Sequence, residues 1–210
     1  MFDVICVLKS GGIYNAEWVR KLRDGVARNL SIPHRFRCLS DVEVPCERIP
    51  LEHDWKAWWS KIELFRPGVI TGPTIYFDLD TVITGSLDGI ETLPYDFAAL
   101  RNFHVPEMIG SGVMWFRDVP HWVYERFSEK PDDFMLYHEI FRDGPYLGDQ
   151  AFIWDSLGRE VDKLTDSFTR IRSYKYHCKA GLPEGTSVVC FHGNPRPPEV
   201  KTDWMKEHWR

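Results

Sequence analysis

The chain has 210 residues, 43% of them hydrophobic and 27% charged, with a formal net charge of −5. This composition can fill a globular core, and no apolar run approaches the roughly 20 residues of a membrane span, so no transmembrane segment is expected. The negative balance argues against a broad nucleic-acid footprint. Five irregularly spaced cysteines with no C-x-x-C pair argue against a disulfide framework or structural zinc and for a reducing cytoplasm.

The apolar, β-branched run 3–8 predicts a buried opening strand, followed by a turn at Ser10-Gly11-Gly12. No basic and then apolar leader precedes it, so no signal peptide is expected. Asn15 suits the N-cap of a helix over 16–29, in which Trp18, Val19, Leu22 and Val26 recur at helical spacing. Pro33 ends that unit and 35–39 predicts a second strand, giving the β–loop–α–β opening of an α/β sheet. A short strand is expected near 47–49. A helix over 55–65 carries Trp55, Trp58, Trp59, Ile62 and Phe65 and stops at Pro67-Gly68. Strands follow at 74–78, 97–101 and, broken by glycine, 109–116. Helices are expected over 120–130 and 148–157. The stretch 165–210 shows one clear strand, at 187–191. No repeat or linker interrupts the chain, so a single domain over 1–210 is expected.

The strand at 74–78 leads into Asp78-Leu79-Asp80. Side chains alternate along a strand, so Asp78 and Asp80 share a face and Leu79 points away. Two carboxylates at a strand end suit a hard divalent cation that also holds a diphosphate; a pair that merely caps a loop is the plain alternative. The nine tryptophans serve either packing or stacking on sugars and bases.

Taken in order, the motifs resemble those of the metal-dependent, retaining glycosyltransferases of the glycogenin and bacterial galactosyltransferase group, family 8. The resemblance implies a GT-A fold: one Rossmann-like α/β/α domain with a mixed central sheet. Val7-Leu8-Lys9-Ser10-Gly11-Gly12-Ile13-Tyr14 is similar to the family's opening strand and nucleotide loop. That implies nucleotide contacts along Leu8, Lys9 and Ser10 and places Tyr14 against uracil. Trp59-Ser60-Lys61-Ile62-Glu63-Leu64 resembles the helix whose lysine, here Lys61, faces the nucleotide-sugar. Asp78-Leu79-Asp80-Thr81-Val82-Ile83 with Leu87-Asp88 follows the family's longer metal motif. Ile109-Gly110-Ser111-Gly112-Val113-Met114 resembles the Asn-Ser-Gly-Val strand that lines the donor sugar, with Gly110 in place of the asparagine and Ser111 retained. Gly148-Asp149-Gln150 matches a Gly-Asp-Gln block beside the anomeric carbon and implies catalytic roles for Asp149 and Gln150. The family often has a further acid three residues earlier, where this chain has Tyr146; Asp143 is nearby but out of register.

The closing Cys190-Phe191-His192-Gly193-Asn194-Pro195-Arg196-Pro197 is similar to His-x-x-Gly-x-x-Lys-Pro. Alignment on Gly193 puts Arg196 in the phosphate-binding lysine slot and Cys190 in the metal-ligand slot. His192 lies two residues on, on the same face of a continued strand. Imidazole suits Mn²⁺ better than thiolate does, so Asp78, Asp80 and His192 are the expected ligands of Mn²⁺ or Mg²⁺, with Cys190 the alternative to His192. The resemblance thus implies transfer of a hexose from a UDP-sugar, glucose or galactose, to an unidentified acceptor with retention. Asp149 would be either a nucleophile or a stabiliser of an oxocarbenium-like centre. A non-catalytic nucleotide-sugar or glycan-binding module, with Trp55, Trp58 and Trp59 as platform, is the alternative. A nucleotidyltransferase is a further one, but the Gly-rich N-terminal loop with a following basic signature is missing.

Overall fold

The opening apolar run forms strand β1 (Phe2–Leu8), buried on both faces as a near-continuous hydrophobic run requires. The structure, a computed structural model, describes residues 1–140, 147–158 and 160–210; Asp143 and Tyr146 lie outside the described residues. Asn15 caps helix α1 (Ala16–Asn29) by accepting the Glu17 amide. Strands β2 (His34–Ser40) and β3 (Glu47–Pro50) follow. Then come β4 (Thr74–Phe77), β5 (Thr81–Ile83), β6 (Phe97–Arg101) and β7 (Ile109–Phe116). Helices α2 (Trp122–Glu129), α3 (Pro131–Ile140) and α4 (Gly148–Leu157) come next. The chain continues through β8 (Asp162–Lys163), α5 (Leu164–Ser167), β9 (Ile171–Ser173), β10 (Val188–Cys190) and α6 (Asp203–His208).

Seven strands form one sheet in the order β3-β2-β1-β4-β7-β6-β8. The β3-β2-β1-β4 half is parallel, and β7 then runs antiparallel to both β4 and β6. Alternation along β1 divides the core. Val4, Cys6 and Leu8 pack with Trp18, Val19, Leu22 and Val26 of α1 on one face. Ile5 packs on the other face with Trp59, Phe65, Phe127 and Phe152. A separate three-stranded sheet, β5-β10-β9, pairs Cys190 with Thr81 and with Ser173. It returns the C-terminal part of the chain to the aspartate strand.

Two features depart from the sequence reading. The segment expected as a helix over 55–65 is a 3-10 helix, Ala57–Phe65, buried at every position from Trp59 onward, Lys61 and Glu63 included. From Trp59 on it has no solvent face, so tertiary contacts rather than helical amphipathicity set its winding. Helix α3 has no sequence counterpart because its apolar residues form no stripe: Leu136, Tyr137 and Ile140 are exposed. All five cysteines are free. No helix among the described residues is long and apolar enough to cross a membrane.

Trp59 is fully buried, stacks on Phe127 at 5.2 Å and donates its indole N–H to Glu139 at 2.7 Å. Trp59→Ala is expected to cost about 3–5 kcal/mol in urea unfolding. Ile13→Ala, at a position 60% exposed, should stay within about 0.5 kcal/mol of the parent.

Candidate active site

Parallel strands of an α/β sheet open a crevice at their carboxyl ends, where ligands collect. Here β1, β2 and β4 end together. Leu8 is a core residue, but the loop after it is polar. Lys9 Nζ pairs with Asp41 and Asp54, each at 2.7 Å. Ser10 donates its amide at 2.8 Å and its hydroxyl at 2.6 Å to Asp41. Burial works against the Asp41 carboxylate, yet these bonds outweigh it and hold its pKa down at about 2. The sequence reading did not single out Asp41; its only signal is its place directly after β2.

Asp78 and Asp80 stand at the centre. The Asp78 amide bonds Gly112 O at 2.9 Å. A Cβ on Gly112 would come within 3.3 Å of Asp78 Oδ2, so glycine leaves the carboxylate its space. The buried Tyr76 hydroxyl donates to Asp78 Oδ1. Asp80 is only 4% exposed. Its Oδ2 accepts from the Tyr14 hydroxyl at 2.9 Å and from the Arg196 guanidinium, which also reaches the Tyr14 oxygen at 2.7 Å. Burial and the charge of Asp78 push the Asp80 pKa up, while Arg196, Tyr14 and Lys61 act against the rise. Burial first and Asp80 second raise the pKa of Tyr14, which remains a protonated donor. Its ring meets Trp18 edge-on at 4.9 Å, and Trp18 meets Trp209 at 5.2 Å. Leu79 points away into the core, as strand alternation requires.

Lys61 joins three of the sequence blocks. Its ammonium lies 3.0 Å from Asp78 Oδ1, 2.8 Å from Asp149 Oδ2 and 3.1 Å from Ser111 Oγ. Ser111 donates its hydroxyl to Asp149 Oδ2 at 2.9 Å and its amide to Gln150 Oε1 at 3.3 Å. Lys61 is 6% exposed. Burial opposes its charge, but Asp149 and Asp78 outweigh that and raise its pKa. Asp149 does not cap α4; its carboxylate is turned to Lys61 instead. Gly110 has a packing role: its Cβ position is 3.3 Å from Leu100, where the β6–β7 register shifts.

Among the described residues, the expected ligand His192 forms no metal-holding group with the aspartate pair. Strand β10 ends at Cys190, so the alternation that would put both side chains on one face stops there. His192 Nε2 bonds Ser173 Oγ at 2.7 Å, and its ring stacks with Phe103 and Tyr176. Burial, Lys175 and Arg196 lower its pKa. Cys190 is buried and lies in the field of Asp80 and Asp78; burial and those charges push its thiol pKa well up, disfavouring the thiolate. Among the described residues, no group of three His, Cys, Asp or Glu side chains is disposed to hold a metal ion. Two convergent carboxylates nevertheless fit a Mg²⁺-type ion, which is bound by one or two carboxylates plus substrate phosphates and water.

The tryptophan cluster is not an exposed platform. Trp55 and Trp59 are buried, and only Trp58 is open, at 45%. Trp58 lines a cavity of about 360 Å³ with Lys56, Ala57, Glu139 and Leu147.

No protein-family profile and no curated protein matches the sequence. Solved structures do match. The glycosyltransferase GlyE of Streptococcus pneumoniae superposes with a TM-score of 0.68 at 15% identity, over 94% of this chain and 56% of GlyE. The chain thus spans little more than half of GlyE's length. An active-site mutant of LgtC superposes with a TM-score of 0.62 at 11% identity, over 98% of this chain and 93% of that one. Mouse xyloside xylosyltransferase 1 gives 0.52 at 14% identity, over 92% and 98%. With its mixed seven-stranded sheet, the chain has the GT-A fold.

Removing Lys61 strands two carboxylates around a buried gap. Lys61→Met is expected to cost about 3–5 kcal/mol at pH 7. Because the freed acids can protonate, the loss should be smaller at pH 5 than at pH 8, and Asp149→Asn in the same chain should recover part of it. Urea unfolding at the two pH values checks this. In the parent, the raised Lys61 pKa makes its contribution fully present below about 10.5 and lost as pH rises through the folded value.

Proposed function

We propose that the chain is a glycosyltransferase that moves a hexose from a UDP-sugar to an acceptor, with retention and with the help of a divalent cation, in the cytoplasm. The observation that carries this reading is the Lys61 ammonium shared by Asp78, Asp149 and Ser111. It gathers into one buried network residues from four separate blocks of the chain that resemble a transferase. LgtC, whose fold this chain shares, is a galactosyltransferase studied with donor and acceptor sugar analogues, which supports the choice of a hexose.

Asp78 and Asp80 would hold Mn²⁺ or Mg²⁺, and a bound ion supplies charge neutralisation to the departing diphosphate. The chain's own cations act at the same place. Arg196 presents a guanidinium suited to phosphate oxygens, and Lys61 adds fixed positive charge below it. Asp149 Oδ2 already accepts from Lys61 and Ser111. A carboxylate that shares its charge in this way is a weak nucleophile, which favours an electrostatic role: steadying positive charge at the anomeric carbon while the acceptor attacks from the leaving-group side. Gln150 fixes the Ser111 backbone beside it.

Incubation with a panel of UDP-sugars, with free UDP as readout, tests the proposal. Release of UDP that depends on Mn²⁺ or Mg²⁺ is expected with at least one donor. A binding module would bind donor and release none. Asp80→Ala should abolish metal-dependent UDP binding, and undiminished binding there would remove the metal site. Asp149→Asn should keep UDP binding and lower turnover about 10²–10³-fold.

A further inference from the structure

Between β9 and the closing segment, residues Tyr174–Cys178 form a single π turn, a winding found mostly at functional sites. Both flanks of Lys175 are pinned by rings. Tyr174 stacks on Phe191 at 4.5 Å and 13°, and Tyr176 stacks on His192 at 5.8 Å and 29°. The turn is tied further by Ser173 Oγ, which accepts the Tyr176 amide and bonds His192. Lys175 is thereby carried over the Gly193 turn. Gly193 has φ +74°, and a Cβ there would stand 3.0 Å from Lys175 Nζ. Glycine suits this left-handed backbone, and a Cβ there would push the lysine end aside.

Two cationic donors here lack acceptors. Among the described residues, Lys175 has no ion pair or hydrogen bond through its ammonium, and Arg196 Nε is buried without a partner. Arg196 Nη1 rests on Asp80, which places the Arg196 guanidinium beside the aspartate pair, while Lys175 stands over the neighbouring Gly193 turn. Both cations also act on His192. A cluster of positive groups with unfilled donors, held by stacked rings and cleared by a glycine, is shaped for an anion with several oxygens.

We propose that Lys175 and Arg196 grip a diphosphate across the Gly193 turn, with Lys175 supplying positive charge at the end of the site that His192 leaves without a metal ligand. This rests on the nucleotide-sugar reading above and adds to it a phosphate contact that lies outside every motif block.

Calorimetric titration of the parent, Lys175→Ala and Lys175→Arg with UDP, UMP and inorganic pyrophosphate, all in Mg²⁺, tests it. Lys175 is partly exposed, so Lys175→Ala should melt like the parent. It should weaken UDP and pyrophosphate binding at least about tenfold, as expected for a lost charge-assisted bond, and shrink the preference for UDP over UMP. Lys175→Arg should keep most of the affinity. If Lys175→Ala binds UDP and pyrophosphate like the parent, the grip is overturned while the donor reading stands. If the parent binds pyrophosphate through Lys175 but no uridine nucleotide, the grip stands and the donor reading falls. If the parent binds neither, both fall.

Discussion

A single buried ammonium organises this molecule. Lys61 Nζ sits among Asp78, Asp149 and Ser111 with distances of 2.8–3.1 Å. Removing a charge from water is expensive, and only several good contacts together repay it. Those contacts come from the end of β4, from β7 and from the first turn of α4, so the three elements cannot shift apart without exposing an unpaired charge. The 3-10 helix that carries Lys61 is buried from Trp59 onward and is fixed by Trp59, Ile62 and Phe65 in the core. Core packing thus sets the position of the ammonium, and the ammonium sets the position of the acids.

The rest of the site follows the same pairing. Each acid at the carboxyl edge of the sheet meets a base of the chain: Asp41 meets Lys9, Asp78 and Asp149 share Lys61, and Asp80 meets Arg196. The small β5-β10-β9 sheet makes the last pairing possible, because Thr81 pairs with Cys190 and draws the following turn back over Asp80. In these pairings carboxylates outnumber bases: Lys9 serves Asp41 and Asp54, Lys61 serves Asp78 and Asp149, and Arg196 serves Asp80.

Much of this was legible in the residues. The period of α1, its Asn15 cap and the strands at 97–101 and 109–116 agree with their expected bounds because each has a clean apolar pattern and a turn signal at its ends. Lys61, Ser111, Asp149 and Asp78 came from separate motifs, and the structure brings their side chains into one network. What failed did so for definite reasons. His192 was assigned by strand alternation that stops two residues earlier. The platform of Trp55, Trp58 and Trp59, part of the binding-module alternative, is not formed, because burial separates Trp58 from Trp55 and Trp59. Strands of two or three residues, such as β5, β8 and β9, are too short to carry a period. Lys175 belongs to a turn whose winding no local pattern announces.

The aromatic contacts around Tyr14, in the loop after β1, reach far along the chain. Trp209 rests on Trp18, Trp18 on Tyr14, and the Tyr14 hydroxyl on Asp80. The turn that follows α6 is therefore a buttress for Tyr14 and, through it, for Asp80. Any loosening of that terminal turn would be transmitted, ring by ring, as freedom of one hydroxyl to leave its carboxylate.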